Sequence, residues 1–167
     1  IKAVRVASHF VPKRVIEDAL ARAPHFPVGF IRKVVSKTGA RAEGILYGIP
    51  MTSRMIMRHP PEFLYRKLLQ IAEEASAAGC RIMGLGAFTS VAGDAGLTVS
   101  RQAPIAVTSG NSFTVATTLR TLREVAQRSG INLAESNAVV IGATGSIGSI
   151  CARLLAGEVR ELSCVSP

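Results

Sequence analysis

Apolar residues recur at helical spacing in three stretches of the chain. Leu64, Leu68, Ile71, Ala72 and Ala75 fall at i, i+4, i+7, i+8 and i+11 behind Pro60-Pro61, and Gly79 follows, which predicts a helix over about 61–78 with Glu62 in its first turn. Val115, Leu119, Leu122 and Ala126 repeat the pattern between the turn Ser109-Gly110-Asn111-Ser112 and Gly130, with Asn111 or Ser112 as the expected cap. Ile147, Ile150, Cys151 and Leu154 mark a third helix face. A fourth helix is expected from Pro12 to about Ala23, where Ala23-Pro24 ends it. Elsewhere the pattern is that of strands. Residues 1–7 alternate weakly. Residues 30–35 and 43–47 flank the polar turn Lys37-Thr38-Gly39-Ala40-Arg41 as a hairpin. Short apolar runs predict further strands at 81–85, 97–100, 105–108, 138–141 and 159–165, and residues 51–61 read as a connector rich in Met and Arg.

One strand leads into chemistry. Ala138-Val139-Val140-Ile141 runs into Gly142-Ala143-Thr144-Gly145-Ser146-Ile147-Gly148 and then the third helix. Such a turn brings backbone N–H groups to a phosphate at the positive end of a helix dipole. Gly142 allows the tight turn, Gly145 leaves room for a pyrophosphate, and Gly148 lets the helix pack close to the strand. Gly142, Ala143, Thr144, Gly145, Ser146, Ile147 and Gly148 are therefore the candidate dinucleotide-binding residues. Ser146 and Ile147 offer helix N-terminal amides, and Thr144 and Ser146 offer hydroxyls. A ligand-free β-to-α turn uses the same glycines.

Composition fits a packed domain. Of 167 residues, 48% are hydrophobic and 19% charged, and no stretch is long and apolar enough to span a bilayer. Cys80, Cys151 and Cys164 are far apart, which argues against a disulfide framework or a zinc site; no metal is expected, and Cys151 and Cys164 read as core fillers in a cytoplasmic protein. The net charge of +9 is uneven: +7 over residues 1–80 and +2 over 81–167. A basic front half suits an acidic partner or simply a solvated surface. Arg54, Arg58, Arg66 and Lys67 are candidates for a basic patch, with a solvated helix end as the alternative. Five per cent aromatics and no Trp give nucleic-acid binding little beyond charge. His59 reads as a surface residue.

Three blocks in order, Gly84-Leu85-Gly86-Ala87-Phe88-Thr89-Ser90, Thr108-Ser109-Gly110-Asn111-Ser112-Phe113-Thr114 and Val140 to Ser149, together resemble the long-chain acyl-ACP reductases (ACP, acyl carrier protein) of the cyanobacterial type. The resemblance spans about residues 28–165. It implies an NAD(P)H-dependent oxidoreductase that reduces a fatty acyl thioester, acyl-ACP or acyl-CoA, to an aldehyde, with NADP(H) favoured over NAD(H). It implies an α/β chain in three parts: a substrate-side domain over 1–110, a linking helix and loop over 111–135, and the first β-α-β of a truncated Rossmann-type domain over 136–167. The nucleophilic cysteine of that family lies downstream of the matched stretch, so the catalytic thiol is expected beyond this chain and the fragment alone is expected to be inactive.

Asn111 joins the candidate cofactor residues on this reading. Thr108 and Ser112 beside it, and Phe88, Thr89 and Ser90, are candidates on the substrate side; helix capping and a strand-end turn are the alternatives. Ser166-Pro167 stands where the family places an arginine suited to a 2′-phosphate. A shikimate-dehydrogenase-like enzyme shares the general plan but needs a lysine–aspartate pair, and few acids lie near Lys13, Lys33, Lys37 and Lys67. A non-catalytic nucleotide-binding module is the third alternative. A short-chain dehydrogenase is disfavoured, because its glycine turn lies near the N-terminus and its Tyr-x-x-x-Lys pair is missing here.

Overall fold

The computed structural model describes residues 12–166, so the strand expected over residues 1–7 lies outside the described residues. The protein is mixed α/β and divides into two compact units, Ile1–Thr108 and Ser109–Pro167.

Among the described residues the first unit starts with helix α1 (Lys13–Arg22), entered through Pro12, and an antiparallel hairpin of β1 (Phe26–Val35) and β2 (Arg41–Gly48). The pairing extends further toward the N-terminus than the apolar alternation indicates, with Phe26 opposite Gly48. Helix α2 (Ser53–Arg58) replaces the expected connector. Its first turn is closed by Thr52, whose hydroxyl accepts from the Met55 N–H, and Met55 and Ile56 are buried. Helix α3 (Pro61–Ala77) follows the predicted stripe, burying Leu64, Leu68, Ile71, Ala72 and Ala75. Strand β3 (Ile82–Gly84) leads to a 3-10 turn over Ala87–Ser90, and β4 (Ala106–Thr108) pairs with β3 in parallel.

Between those strands the sequence predicts a strand at 97–100, yet Leu97–Gln102 is helix α4. Gly96 enters it in the left-handed conformation, and the Asp94 carboxylate accepts from the Thr98 N–H and hydroxyl. Local capping overrides the β-branched alternation of Leu97-Thr98-Val99-Ser100. The unit's core joins Ile56, Leu64 and Leu68 to Leu85, Ala92 and Val99; a smaller cluster gathers Ala72, Ala75 and Ile105 with Tyr47 and Cys80.

The second unit is helix α5 (Asn111–Arg128), a 3-10 turn at Leu133–Glu135, β5 (Asn137–Ile141), helix α6 (Gly148–Leu155) and β6 (Glu161–Val165). Strands β5 and β6 pair in parallel, register Asn137↔Glu161 through Ile141↔Val165. Val115 and Leu119 of α5 pack on Cys151 and Leu155 of α6, with Val140 and Leu162 beneath. Helix α5 belongs to this unit. Leu122 on its predicted face stays partly exposed. Cys151 is buried as expected, but Cys164 is exposed, although it stands opposite Val140 and shares a face of the sheet with Leu162.

Candidate functional site

The glycine turn is built from its backbone outward. Gly142 stands at φ +82°, in the left-handed region where other residues are strained. Its N–H and that of Ala143 both donate to the Val165 carbonyl, at 2.8 and 3.2 Å, which fastens the turn to the end of β6. The chain then folds back: the Gly145 N–H donates to the Gly142 carbonyl at 3.0 Å, and the Ser149 N–H to Gly145 at 2.9 Å. A Cβ on Gly148 would lie 2.8 Å from the Gly142 carbonyl carbon and 3.3 Å from the Ala143 Cα. No side chain fits there, because the obstacle is main chain. The N–H groups of Ser146, Ile147 and Gly148 make no hydrogen bond among the described residues.

Side chains complete the turn. Asn111 is the first residue of α5, not its cap; Gly110 occupies the cap position at φ +74°. Freed from capping, the Asn111 amide donates to the Ser146 Oγ at 3.0 Å. Two predicted site residues 35 positions apart therefore meet. Thr144 hydrogen-bonds Ser166 at the end of β6. Away from the turn, the Arg123 guanidinium grips Glu158 in a two-pronged ion pair, with Nε to Oε2 at 2.8 Å. That bond holds the Glu158 carboxyl below the usual carboxylate range.

The substrate-side candidates are placed differently. Thr89 Oγ1 donates to the Gly86 carbonyl at 2.6 Å and Ser90 Oγ to Ala87 at 2.8 Å, so both hydroxyl protons are spent within their own turn. Phe88 is exposed. The Thr108 carbonyl accepts from the Leu85 N–H, and Ser112 lies exposed on the first turn of α5. Among these, the structure brings Phe88, Thr89 and Ser90 onto one 3-10 turn within the first unit. Sequence reasoning missed the clamp behind them. The Tyr65 hydroxyl accepts from the Asp94 N–H at 3.0 Å, and Gly93, at φ +71°, leaves the space that the Tyr65 ring end fills. Burial raises the Tyr65 phenol above its ordinary range. The only signal was Gly93 itself.

Of the basic-patch candidates, Arg54 and Arg66 are exposed, whereas Lys67 and Arg58 are engaged by the fold. Lys67 is buried, 8% exposed, and donates to the Ala23 carbonyl at 2.7 Å; burial lowers its pKa. Arg58 pairs with Glu17 at 3.0 Å. Helix α3 turns Lys67 onto the face that carries Leu64, Leu68 and Ile71, which the spacing of the charges alone does not reveal. His59 is not a surface residue either: it is half-buried and stacked on Phe63 at 4.8 Å between ring centres, its Nε2 buried without a partner among the described residues.

Among the described residues there is no group of three metal-ligating side chains and no helix long and apolar enough to cross a membrane. No family profile matches the chain. It is similar to Aminotransferase PigE of Serratia sp. (strain ATCC 39006), 30% identical over 126 residues, which make up 75% of this chain. The chain spans about 15% of the length of that relative, so the match concerns a small part of a much longer protein.

Proposed function

We propose that this chain is part of an NAD(P)H-dependent reductase of fatty acyl thioesters, acyl-ACP or acyl-CoA, and that the second unit holds the dinucleotide pyrophosphate on the turn Gly142–Gly148. The observation that carries this reading is the pairing of a side-chain-free wall at Gly148 with three unbonded amides at Ser146, Ile147 and Gly148. A phosphate needs both: close approach to backbone, and donors at the start of a helix. No carboxylate stands in residues 142–149 to oppose it. Ser146 accepts its hydrogen bond from Asn111, which leaves the hydroxyl proton of Ser146 to donate to a phosphate oxygen. Val139 and Ile141 leave one sheet face bare, at 62% and 83% exposure. Doubly wound parallel sheets cover that face with further helices, which supports a Rossmann-type reading of the unit.

In the reaction the nicotinamide supplies hydride to the thioester carbon. The part played by this chain is to bind and orient: the amides of 146–148 fix the pyrophosphate, and Asn111 fixes the Ser146 hydroxyl. The choice of acyl thioester and of NADP(H) over NAD(H) rests on the three-block resemblance, and a cytoplasmic setting on the widely spaced cysteines. On that reading the acyl-accepting thiol lies outside residues 1–167.

The relative's name favours a second reading, a cradle for the phosphate of pyridoxal. An aminotransferase holds pyridoxal phosphate on a lysine, and residues 109–167 contain none. Calorimetric titration of the chain with NADPH, NADH and pyridoxal phosphate separates the two. NADPH binding that Gly148→Ala abolishes is the expected result. Binding of pyridoxal phosphate alone overturns the dinucleotide reading. On a protein carrying the thiol, NADPH oxidation that does not depend on acyl thioester overturns the substrate assignment.

A further inference from the structure

The hairpin carries a surface that the dinucleotide turn does not use. Two bulges in β1 shift its register: one between Pro27 and Gly29, the other between Ile31 and Val34, where Lys33 takes φ +60°. Each extra residue flips the side chains that follow it to the other face. Phe26, Ile31 and Val34 thereby stand opposite Gly48, Gly44 and Ala42, with Leu46 between, on one face of the pair. Val28, the residue of the first bulge, lies over Gly48, where its Cγ1 would be 2.8 Å from an added Cβ. Every side chain paired on this face is apolar. The opposite face holds Tyr47, which packs on the cluster of Ala72, Ala75 and Ile105. The apolar face is open along its length, Phe26, Val28, Ile31, Val34 and Leu46 all being 48–56% exposed, and Phe30 and Val35 on the Tyr47 face are open as well, at 61% and 56%. A soluble surface seldom gathers so many large apolar side chains on one patch without a partner.

The rim of the patch names the partner's chemistry. Arg32, Lys33, Lys37 and Arg41 ring the tip, all exposed, against a single acid, Glu43. We propose that this face docks on an anionic phospholipid surface: aliphatic side chains enter the acyl boundary, and the four cations meet the headgroups. A second copy seated on the same face would add like charge to like. A nucleic acid would meet the cations but leave the valine, isoleucine and leucine without a role. The contact is peripheral and needs no spanning segment.

Co-sedimentation with vesicles tests it. The chain is expected to pellet with phosphatidylcholine vesicles containing about one-third phosphatidylglycerol, to stay in the supernatant with pure phosphatidylcholine, and to be released in about 0.5 M salt. Lys37→Glu sits in an exposed polar turn and leaves the fold intact; it is expected to weaken binding about tenfold or more. Ile31→Thr keeps a β-branched residue in the strand and is expected to weaken it about fivefold. An unchanged thermal melt shows that each variant is folded, and should Ile31→Thr not fold, Lys37→Glu with the two lipid compositions decides. Equal binding to both compositions overturns the proposal. So does salt-sensitive binding to a polyanion such as heparin that Ile31→Thr leaves untouched while lipid binding is absent. Protection of the hairpin amides by self-association, with no effect of lipid, also overturns it.

Discussion

A Cβ added at Gly148 in the second unit meets main chain on two sides, the Gly142 carbonyl and Ala143. A Cβ added at Gly93 in the first unit meets side chains alone, chiefly the far end of Tyr65 and, at 3.1 Å, the Pro61 Cβ. Both glycines stand where no side chain fits, and the difference lies in what can move. A tyrosine ring swings about two torsions and gives up one hydrogen bond. A peptide unit already fixed by hydrogen bonds to Val165 and Gly145 moves only with the strand and helix it joins. The first unit is shaped by side chains filling space around α3; the second is shaped at its turn by backbone.

The largest effect is expected from Gly148→Ala. Overpacking a fixed site costs about 1–3 kcal/mol, and a backbone obstacle puts this one at the upper end, about 3 kcal/mol. Urea denaturation of the chain measures it. Gly157→Ala is the control in the same unit: nothing lies within 4 Å of its Cβ position, and its φ is outside the left-handed region. It is expected to be neutral or to stabilise by under about 1 kcal/mol. If both variants melt alike, the turn is not held as described.

Gly93→Ala comes next. It bears the left-handed penalty of about 1–2 kcal/mol and displaces the Tyr65 hydroxyl from the Asp94 N–H. Tyr65→Phe loses that bond alone and is expected to cost about 1 kcal/mol. A Gly93→Ala loss as large as that of Gly148→Ala would erase the distinction between a wall of side chain and a wall of backbone.

Lys67→Met probes the side-chain-built unit at the one buried charged residue among the described residues. The variant removes an ammonium that burial disfavours but leaves the Ala23 carbonyl without its donor, so the two terms offset to within about 1 kcal/mol. Its signature is pH. The folded amine has a lowered pKa, so the unfolded chain binds more protons between that value and the ordinary one near 10.4. Stability therefore rises with pH as it climbs through the lowered value. Denaturation series run upward from neutral pH toward the ordinary lysine value should show this rise in the parent and a flatter course in Lys67→Met. Parallel curves would mean that Lys67 is solvated.

Much of this could be read from the chain before any coordinates. The stripes Leu64–Ala75 and Val115–Ala126 are long enough for periodicity to be decisive, and the run from Ala138 to Gly148 carries its own punctuation. What escaped were short elements decided by a cap. Ser53–Arg58 has too few residues to show a period, and its signal, Thr52 followed three residues later by Met55, lacks the usual Glu or Gln. Leu97–Gln102 alternates like a strand and is turned into a helix by Asp94 and Gly96 outside it. Asn111 looked like a cap because asparagine usually is one; with Gly110 taking that position, its amide was free to reach Ser146. The placement of Lys67 was legible in principle, since it sits one residue before Leu68 on the buried stripe, but its charge argued the other way.

The smallest effect distinguishes how each unit holds a carboxylate. Asp94 in the first unit and Glu158 in the second both lie below their usual range, the one chiefly through the Thr98 hydroxyl, the other chiefly through the Arg123 guanidinium. For a lowered carboxylate the stabilisation is complete above the unfolded value, near 3.9 for Asp and 4.3 for Glu, and is lost as pH falls through the folded one. Both contacts should therefore loosen only in acid below those values. Salt separates them. A hydroxyl and an amide donate to Asp94 without net charge, whereas the Arg123–Glu158 pair, with Arg123 exposed and Glu158 half-buried, is open to salt and screened within a Debye length of about 3 Å at 1 M. In an acid titration followed by amide hydrogen exchange, Asp94→Asn should flatten the response of the Thr98 amide in low and high salt alike. Glu158→Gln should flatten the response around residues 155–160 only in low salt. The same salt dependence at both sites would place a charge beside Asp94 and overturn the neutral-donor account of the α4 cap.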